Sequence, residues 1–387
     1  MSVCQNSQCK TKHATDGDQL KILKKVQKMK IRSIGATLLG GLLGLSAGLT
    51  DASGKNIPAA TDYHRIAFYN VENLFYPTRD TAILDEDYTP GGSRHWGWQK
   101  FETKCHRLFK VIAALDAETP LLCLGLAEVE NGRALQQFCQ GTPLRYDRYR
   151  FVHFDSPDRR GIDVALLYRP DRLEILRARP LPVGQDSGQT RFCTRDILSV
   201  QARVLTTGDT LYLFVVHFPS KFGGALATDA RRRQAGSTLR RAMDSLRAVC
   251  PQAKLIAMGD FNATADEAAL QESIGYVGAR TAAAETDNPV PYINLMADFP
   301  PEAGSHKYRE TWSLIDQIIV SRSLWNGGRP QAAIFNRDFL LTDDKTYFGQ
   351  KPFRTFVGPQ YHGGYSDHLP VYIDLRLSDA AANRPTR

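Results

Sequence analysis

The chain has 387 residues, of which 42% are apolar and 23% charged, a balance that excludes a disordered or low-complexity main body. Its net charge of +8 invites a nucleic-acid reading, yet residues 1–50 hold eight basic and two acidic side chains and so account for +6 of it. The rest of the chain is close to neutral, and its bulk charge selects no partner.

In chain order, the first feature is a short positive segment, Met29-Lys-Ile-Arg-Ser33, followed by the charge-free, small-residue-rich run 34–49. A spanning helix needs roughly 20 apolar residues. The run is shorter and suits the core of a secretory signal. The expectation is a signal peptide over 29–50 and export to the periplasm or beyond, with membrane association only if the signal stays uncleaved. Residues 1–28 read as an extension upstream of a start at Met29, 51–62 as a polar linker, 63–378 as one domain and 379–387 as a polar tail. Of the seven cysteines, Cys4 and Cys9 fall in the extension, and Cys105, Cys123, Cys139, Cys193 and Cys250 are scattered. With no C-x-x-C pair or Cys/His cluster, a structural zinc site of that type is not expected. Cys123, inside an apolar run, reads as a buried thiol.

Short apolar runs at 65–69, 121–126, 164–168, 211–216, 254–258, 315–320 and 371–375 predict strands buried on at least one face. Apolar positions recur at helical spacing over 98–115 and 229–249, the second with arginines on its other face. Strands mixed with helices suggest two packed sheets flanked by helices. Three stretches, 77–95, 281–307 and 338–365, read as long loops that shape a binding face.

Polar residues recur where the apolar runs stop: Asn70 and Glu72 in FYNVENLF, Glu128 in LLCLGLAEVEN and His217 in LFVVHFPSK. Asp260 and Asn262 follow in IAMGDFNA, then Asp316 in WSLIDQIIVS and Asp367-His368 in GGYSDHLPV. Strand ends on one sheet edge converge in space, and oxygen ligands from several rigid elements are what a hard dication requires. Each motif alone has an ordinary explanation. Asp or Glu at a strand end is usually a turn former, D-x-N is a common turn, and a histidine closing a strand is usually structural. Asp316 inside an apolar stretch is a costlier placement that demands a partner. Their joint occurrence in this order carries the functional reading.

The series resembles the endonuclease/exonuclease/phosphatase superfamily, with GDFN and SDHLP as its most specific parts. The resemblance runs from about Arg65 to Leu375 and implies a four-layered α/β sandwich, two mixed sheets face to face with helices outside. It implies Asn70, Glu72, Glu128 and Asp367 around Mg²⁺ (or Mn²⁺ or Ca²⁺), with Glu128 the principal ligand. Asp260 and Asn262 then activate and orient water, Asp316 holds His368, and His217 is a second donor. Arg160, Lys221 and Trp312 are expected substrate contacts; each also reads as an ordinary loop or core residue.

The implied activity is an exported, metal-dependent phosphodiesterase, with a nuclease as the leading form and nucleic acid or another phosphodiester as partner. No obligate protein partner is inferred. The alternatives are a phosphoesterase acting on a lipid or small-molecule ester and a non-catalytic module on the same scaffold. WSLID stands where inositol-polyphosphate phosphatases carry a Cys-Asp-Arg run, which disfavours that branch.

Overall fold

The computed structural model describes residues 63–183, 193–285 and 289–377. The expected extension, signal peptide, linker and tail lie outside the described residues.

The chain opens with β1 (Tyr63–Leu74), β2 (Leu121–Val129), β3 (Arg150–His153) and β4 (Asp163–Tyr168). Next come β5 (Leu173–Leu181), β6 (Ile197–Val204), β7 (Thr210–His217), β8 (Lys254–Asp260) and two short strands, β9 (Val277–Gly278) and β10 (Tyr292–Asn294). A small hairpin, β11 (His306–Tyr308) and β12 (Thr311–Ser313), precedes β13 (Asp316–Ser321) and β14 (Gln331–Ile334). Two more hairpins, β15 (Leu341–Asp343) with β16 (Gln350–Pro352) and β17 (Phe356–Val357) with β18 (Gln360–Tyr361), lead into β19 (Val371–Arg376). The first sheet has the order β14-β19-β1-β2-β4-β3 and the second β5-β6-β7-β8-β13-β10-β9. Both are mixed. The pairs β1/β2 and β7/β8 are parallel, while β1/β19 and β8/β13 are antiparallel.

The apolar runs are unbroken because both faces of each central strand are covered. In β1, Ile66 and Phe68 point between the sheets, whereas Ala67 and Tyr69 face the helical side. In β8, Ile256 and Met258 face the first sheet, and Leu255 and Ala257 face outward. The helix Trp98–Leu115 covers the outer face of the first sheet with Phe101, Cys105, Leu108, Val111 and Ile112. The helix Ala225–Val249 lays Ala235, Leu239 and Met243, four residues apart, against the outer face of the second. The result is the four-layered sandwich.

The expected strands and helices appear within a few residues of their predicted limits; in the two main sheets β3, β5, β6, β9, β10 and β14 are additional to those expected. β5 is only partly buried and carries Glu174, Arg177 and Arg179, so it offers little apolar signal. The three presumed loops hold short structure instead, including the helix Ala279–Ala284 and the hairpins β15/β16 and β17/β18 within 338–365. Cys105, Cys123 and Cys139 are buried free thiols, and Cys193 and Cys250 are exposed and free. No helix among the described residues is long and apolar enough to cross a membrane.

Gly125, inside β2, sets how closely the sheets approach. A Cβ there would meet Phe68 Cδ2 and Val215 Cγ1 at 3.1 Å and Met258 Cε at 3.2 Å, the last two from the opposite sheet. Overpacking a close-fitted interior costs about 1–3 kcal/mol. We therefore expect Gly125→Val to lose about that much unfolding free energy in urea titrations, and Gly125→Ala distinctly less.

Candidate active site

The site begins at a break in β1. From Ile66 opposite Cys123 it pairs with β2 in regular parallel register as far as Asn70 opposite Ala127, then shifts and resumes with Leu74 opposite Val129. At the break Glu72, Asn73 and Glu128 have φ of 51°, 57° and 65°. Left-handed backbone is costly away from glycine and persists where the surroundings over-determine it. Here the two kinks are tied together: Asn73 N–H donates to Glu128 Oε2 at 3.0 Å.

The second sheet supplies three groups at one level. Register places His217 of β7 opposite Asp260 of β8, and Asp260 opposite Asp316 of β13. Gly259 makes the approach possible, because a Cβ there would lie 2.1 Å from Val216 O. Asp260 is buried and is the meeting point. Its Oδ2 accepts from Asn70 Nδ2 at 3.1 Å and lies 3.6 Å from His217 Nε2 and 3.8 Å from His368 Nε2. Its Oδ1 accepts the Asn262 N–H at 2.8 Å. Asn262 sits at φ 49°, and its Nδ2 donates to Phe218 O at 3.0 Å, so this amide also fixes the turn.

His368 arrives just before β19. Its N–H donates to Ser366 Oγ at 3.1 Å, and Ser366 Oγ–H donates to Asn70 O at 2.6 Å. His368 Nδ1 lies 2.7 Å from Asp316 Oδ2, which also accepts from Ser305 Oγ. The His306 ring packs 4.8 Å from that of His368. Asp367 turns the other way and accepts from Arg354 Nη2 at 2.8 Å.

Burial and neighbours set the charges. Burial pushes the Asp260 carboxyl up to about 7, with Asp316 adding to it and His368 opposing. Burial resists a charge on His368, but Asp316 and Asp260 overcome it and hold the imidazole well above its ordinary value. Burial, reinforced by Arg195 and Arg160, holds His217 well below its ordinary value, so it is a neutral imidazole. His306 is lowered to about 4 by burial and by His368. Burial resists the Asp367 charge, yet Arg354 and both neighbouring histidines bring its carboxyl down to about 2.

Among the expected site residues, Asn70, His217, Asp260, Asn262, Asp316 and His368 form this linked group. Glu72 has other partners: its oxygens accept the Thr355 and Phe356 N–H groups at 2.6 and 3.2 Å, with Arg354 Nε 3.5 Å away. It anchors the segment that carries Arg354. Arg160 is half-exposed, and its N–H donates to Asp158. Lys221 Nζ donates to Glu267 at 2.7 Å, beside the turn that follows Asn262. Trp312 lines a hollow with Ile334, Leu341 and Leu369, the last next to His368 in the chain. Sequence reading missed four participants. Arg195 is buried, pairs with Asp158 at 3.0 Å and donates to the carbonyls of His217 and Phe218. Ser305, His306 and Arg354 stand in stretches read as loops, and only contacts across the fold give them a role.

Two sets of ligand atoms lie within 4.8 Å of one another here, Asp260–Asp316–His368 and His306–Asp367–His368. This buried acidic and histidine cluster is consistent with a divalent-metal site. Glu128, half-buried at its kink, belongs to neither set.

An acid whose folded pKa is raised loses stability as pH climbs from its unfolded value to its folded one, because the unfolded chain ionises first. For Asp260 that window runs from about 4 to about 7. In metal-free buffer the unfolding free energy of the wild type, relative to Asp260→Asn, should fall across this window and level off above it. A pH-independent difference in urea titrations would contradict the charge assignment.

The family model for the endonuclease/exonuclease/phosphatase family matches residues 65–377. No curated protein matches the chain in sequence. Among solved structures, an endonuclease/exonuclease/phosphatase family protein from Bacteroides thetaiotaomicron superposes with a TM-score of 0.51 at 15% identity, covering 81% of this chain and 97% of its own. A mannosyl-6-phosphatase from the same species gives a TM-score of 0.51 at 16% identity, covering 80% and 98%. At such identities the likeness speaks to the fold. The family model spans nearly all of the described residues and every position of the Asp260 cluster, and the chain belongs to the endonuclease/exonuclease/phosphatase family of phosphoesterases.

Proposed function

We propose that the chain is an exported phosphodiesterase that cleaves nucleic-acid phosphodiester bonds by metal-assisted water attack. The observation that carries the chemistry is the convergence of Asn70, His217 and His368 on the buried Asp260 carboxylate. Hydrolysis of a phosphate ester needs an in-line nucleophile, neutralisation of the non-bridging oxygens and support for the leaving oxygen.

Asp260, with a carboxyl poised near neutrality, is placed to take a proton from water. Asn70 Nδ2 and the Asn262 N–H hold that carboxylate in one orientation. His368, kept cationic by Asp316, presents Nε2 on the same side as Asp260 and offers positive charge to the phosphate oxygens. His217, neutral and next to Asp260, offers a single N–H towards a phosphate or leaving oxygen. Oxygen donors from Asn70, Glu128 and Asp367, among the residues expected to hold the metal, would suit Mg²⁺ or Mn²⁺. When bound, such an ion supplies Lewis-acid polarisation of the phosphate.

A second reading, a small or lipid phosphoester as substrate, draws on one observation. The arginines of the helix Ala225–Val249 that could track a nucleic-acid backbone are engaged locally. Arg233 pairs with Asp229 at 2.6 Å, Arg240 with Asp244 at 2.6 Å, and buried Arg232 donates to Thr228 at 2.7 Å. Such pairing leaves less free positive charge for phosphate contacts.

Incubation with plasmid DNA, RNA, sphingomyelin and bis-p-nitrophenyl phosphate separates the readings. Nucleic-acid cleavage that EDTA abolishes and Mg²⁺ or Mn²⁺ restores is the expected result. Turnover of only the lipid or small ester selects the second reading, and silence on every substrate selects a non-catalytic module. General acid–base help is worth about 10²–10⁴-fold. Asp260→Asn and His368→Ala should each lower kcat by at least that lower figure while circular dichroism stays native. A fully active, folded Asp260→Asn protein would end the mechanism.

A further inference from the structure

A second group of metal-ligating side chains stands outside the Asp260 cluster, on β3, β4 and the turn between them. His153 closes β3, Asp163 opens β4, and Asp155 lies in the intervening segment. One ligand atom from each falls within 4.8 Å of the others. His153 Nδ1 is 3.8 Å from Asp155 Oδ1, and His153 Nε2 is 3.6 Å from Asp163 Oδ2. These separations are too long for hydrogen bonds. An imidazole binds a given ion through one nitrogen only, so the ion would sit where a single His153 nitrogen and one oxygen of each carboxylate approach within 4.8 Å of one another.

An independent observation points to a ligand. The His153 side chain is only 5% exposed, yet its Nε2 is buried without a hydrogen-bond partner and is aimed at the Asp163 carboxylate. Leaving such a nitrogen unsatisfied is costly. Asp163 is itself positioned, since Ser156 Oγ donates to its other oxygen. Asp155 and Asp163 line a cleft of about 890 Å³. Glu130 lines the same cleft, and its Oε1 is buried and also without a partner.

We propose that His153, Asp155 and Asp163 form a second cation site, selective for a borderline dication such as Zn²⁺ and separate from the phosphoesterase centre. One imidazole and two carboxylates match the ligand chemistry of Zn²⁺ better than that of Mg²⁺, which prefers oxygen and retains its waters. Three protein ligands leave a fourth position, which water fills from the cleft.

The test is calorimetric titration of Zn²⁺ into the metal-stripped full-length protein in excess Mg²⁺, which occupies the oxygen-rich centre. Wild type should bind one more equivalent of Zn²⁺ than His153→Gln, and Zn²⁺ should raise the Tm of wild type only. His153→Gln should keep its metal-free Tm and its Mg²⁺-supported activity, which separates failure here from failure of the phosphoesterase reading. Should that variant not fold, Asp155→Asn, whose side chain is 85% exposed, gives the answer through a Zn²⁺ affinity at least about 10-fold weaker. Equal Zn²⁺ stoichiometry and affinity in the wild type and whichever variant folds would overturn the proposal.

Discussion

The structure turns on a carboxylate that burial makes expensive to charge. Asp260 lies at the end of a central strand, nearly without solvent, and burial drives its pKa upward. What keeps it useful is the set of groups gathered around it: the Asn70 amide, the Asn262 N–H and the cationic His368. Those groups come from both sheets. His217, Asp260 and Asp316 share a level because β7, β8 and β13 are in fixed register. Asn70 comes from β1 in the facing sheet, so the site exists only at the sheet separation that Gly125 permits.

A second tier of ion pairs and backbone bonds holds the participants in place. Glu72 pins the 355–356 amides and with them Arg354, which in turn holds Asp367. Arg195 bridges Asp158 and the His217 and Phe218 carbonyls, and its charge helps to keep His217 neutral. The positive φ of Glu72, Glu128 and Asn262 concentrates strained backbone where strands end and chemistry begins. Such strain survives because each kink is tied by its own hydrogen bond, and a packed four-layer body stands behind it. Two imidazoles of opposite character flank one buried carboxylate: Asp316 raises the pKa of His368, and burial with nearby guanidinium groups lowers that of His217.

The positive charge is arranged differently from the net figure. Arginines on the long helix of the second sheet pair with neighbouring acids, and Lys221 pairs with Glu267. Arg354 faces Asp367 and Glu72. Charge near the site thus acts on specific carboxylates and histidines, not as a diffuse field over the surface.

In the sequence by itself the apolar runs pointed to two packed sheets, the family resemblance implied the four-layered sandwich, and the motifs carried the linear positions of the Asp260 cluster. Fully buried strands leave unbroken apolar runs, and the polar residue that ends each run marks the edge where strands converge. The sequence could not show β5, whose half-exposed face leaves no periodic signal, nor Ser305, His306, Arg195 and Arg354, whose roles depend on contacts between segments far apart in the chain. Tertiary structure alone decided that Glu72 binds backbone amides of a remote segment. It also decided that the two histidines differ in charge. A motif fixes which groups are present, but their partners and burial, and hence their protonation, arise only when the two sheets close on each other.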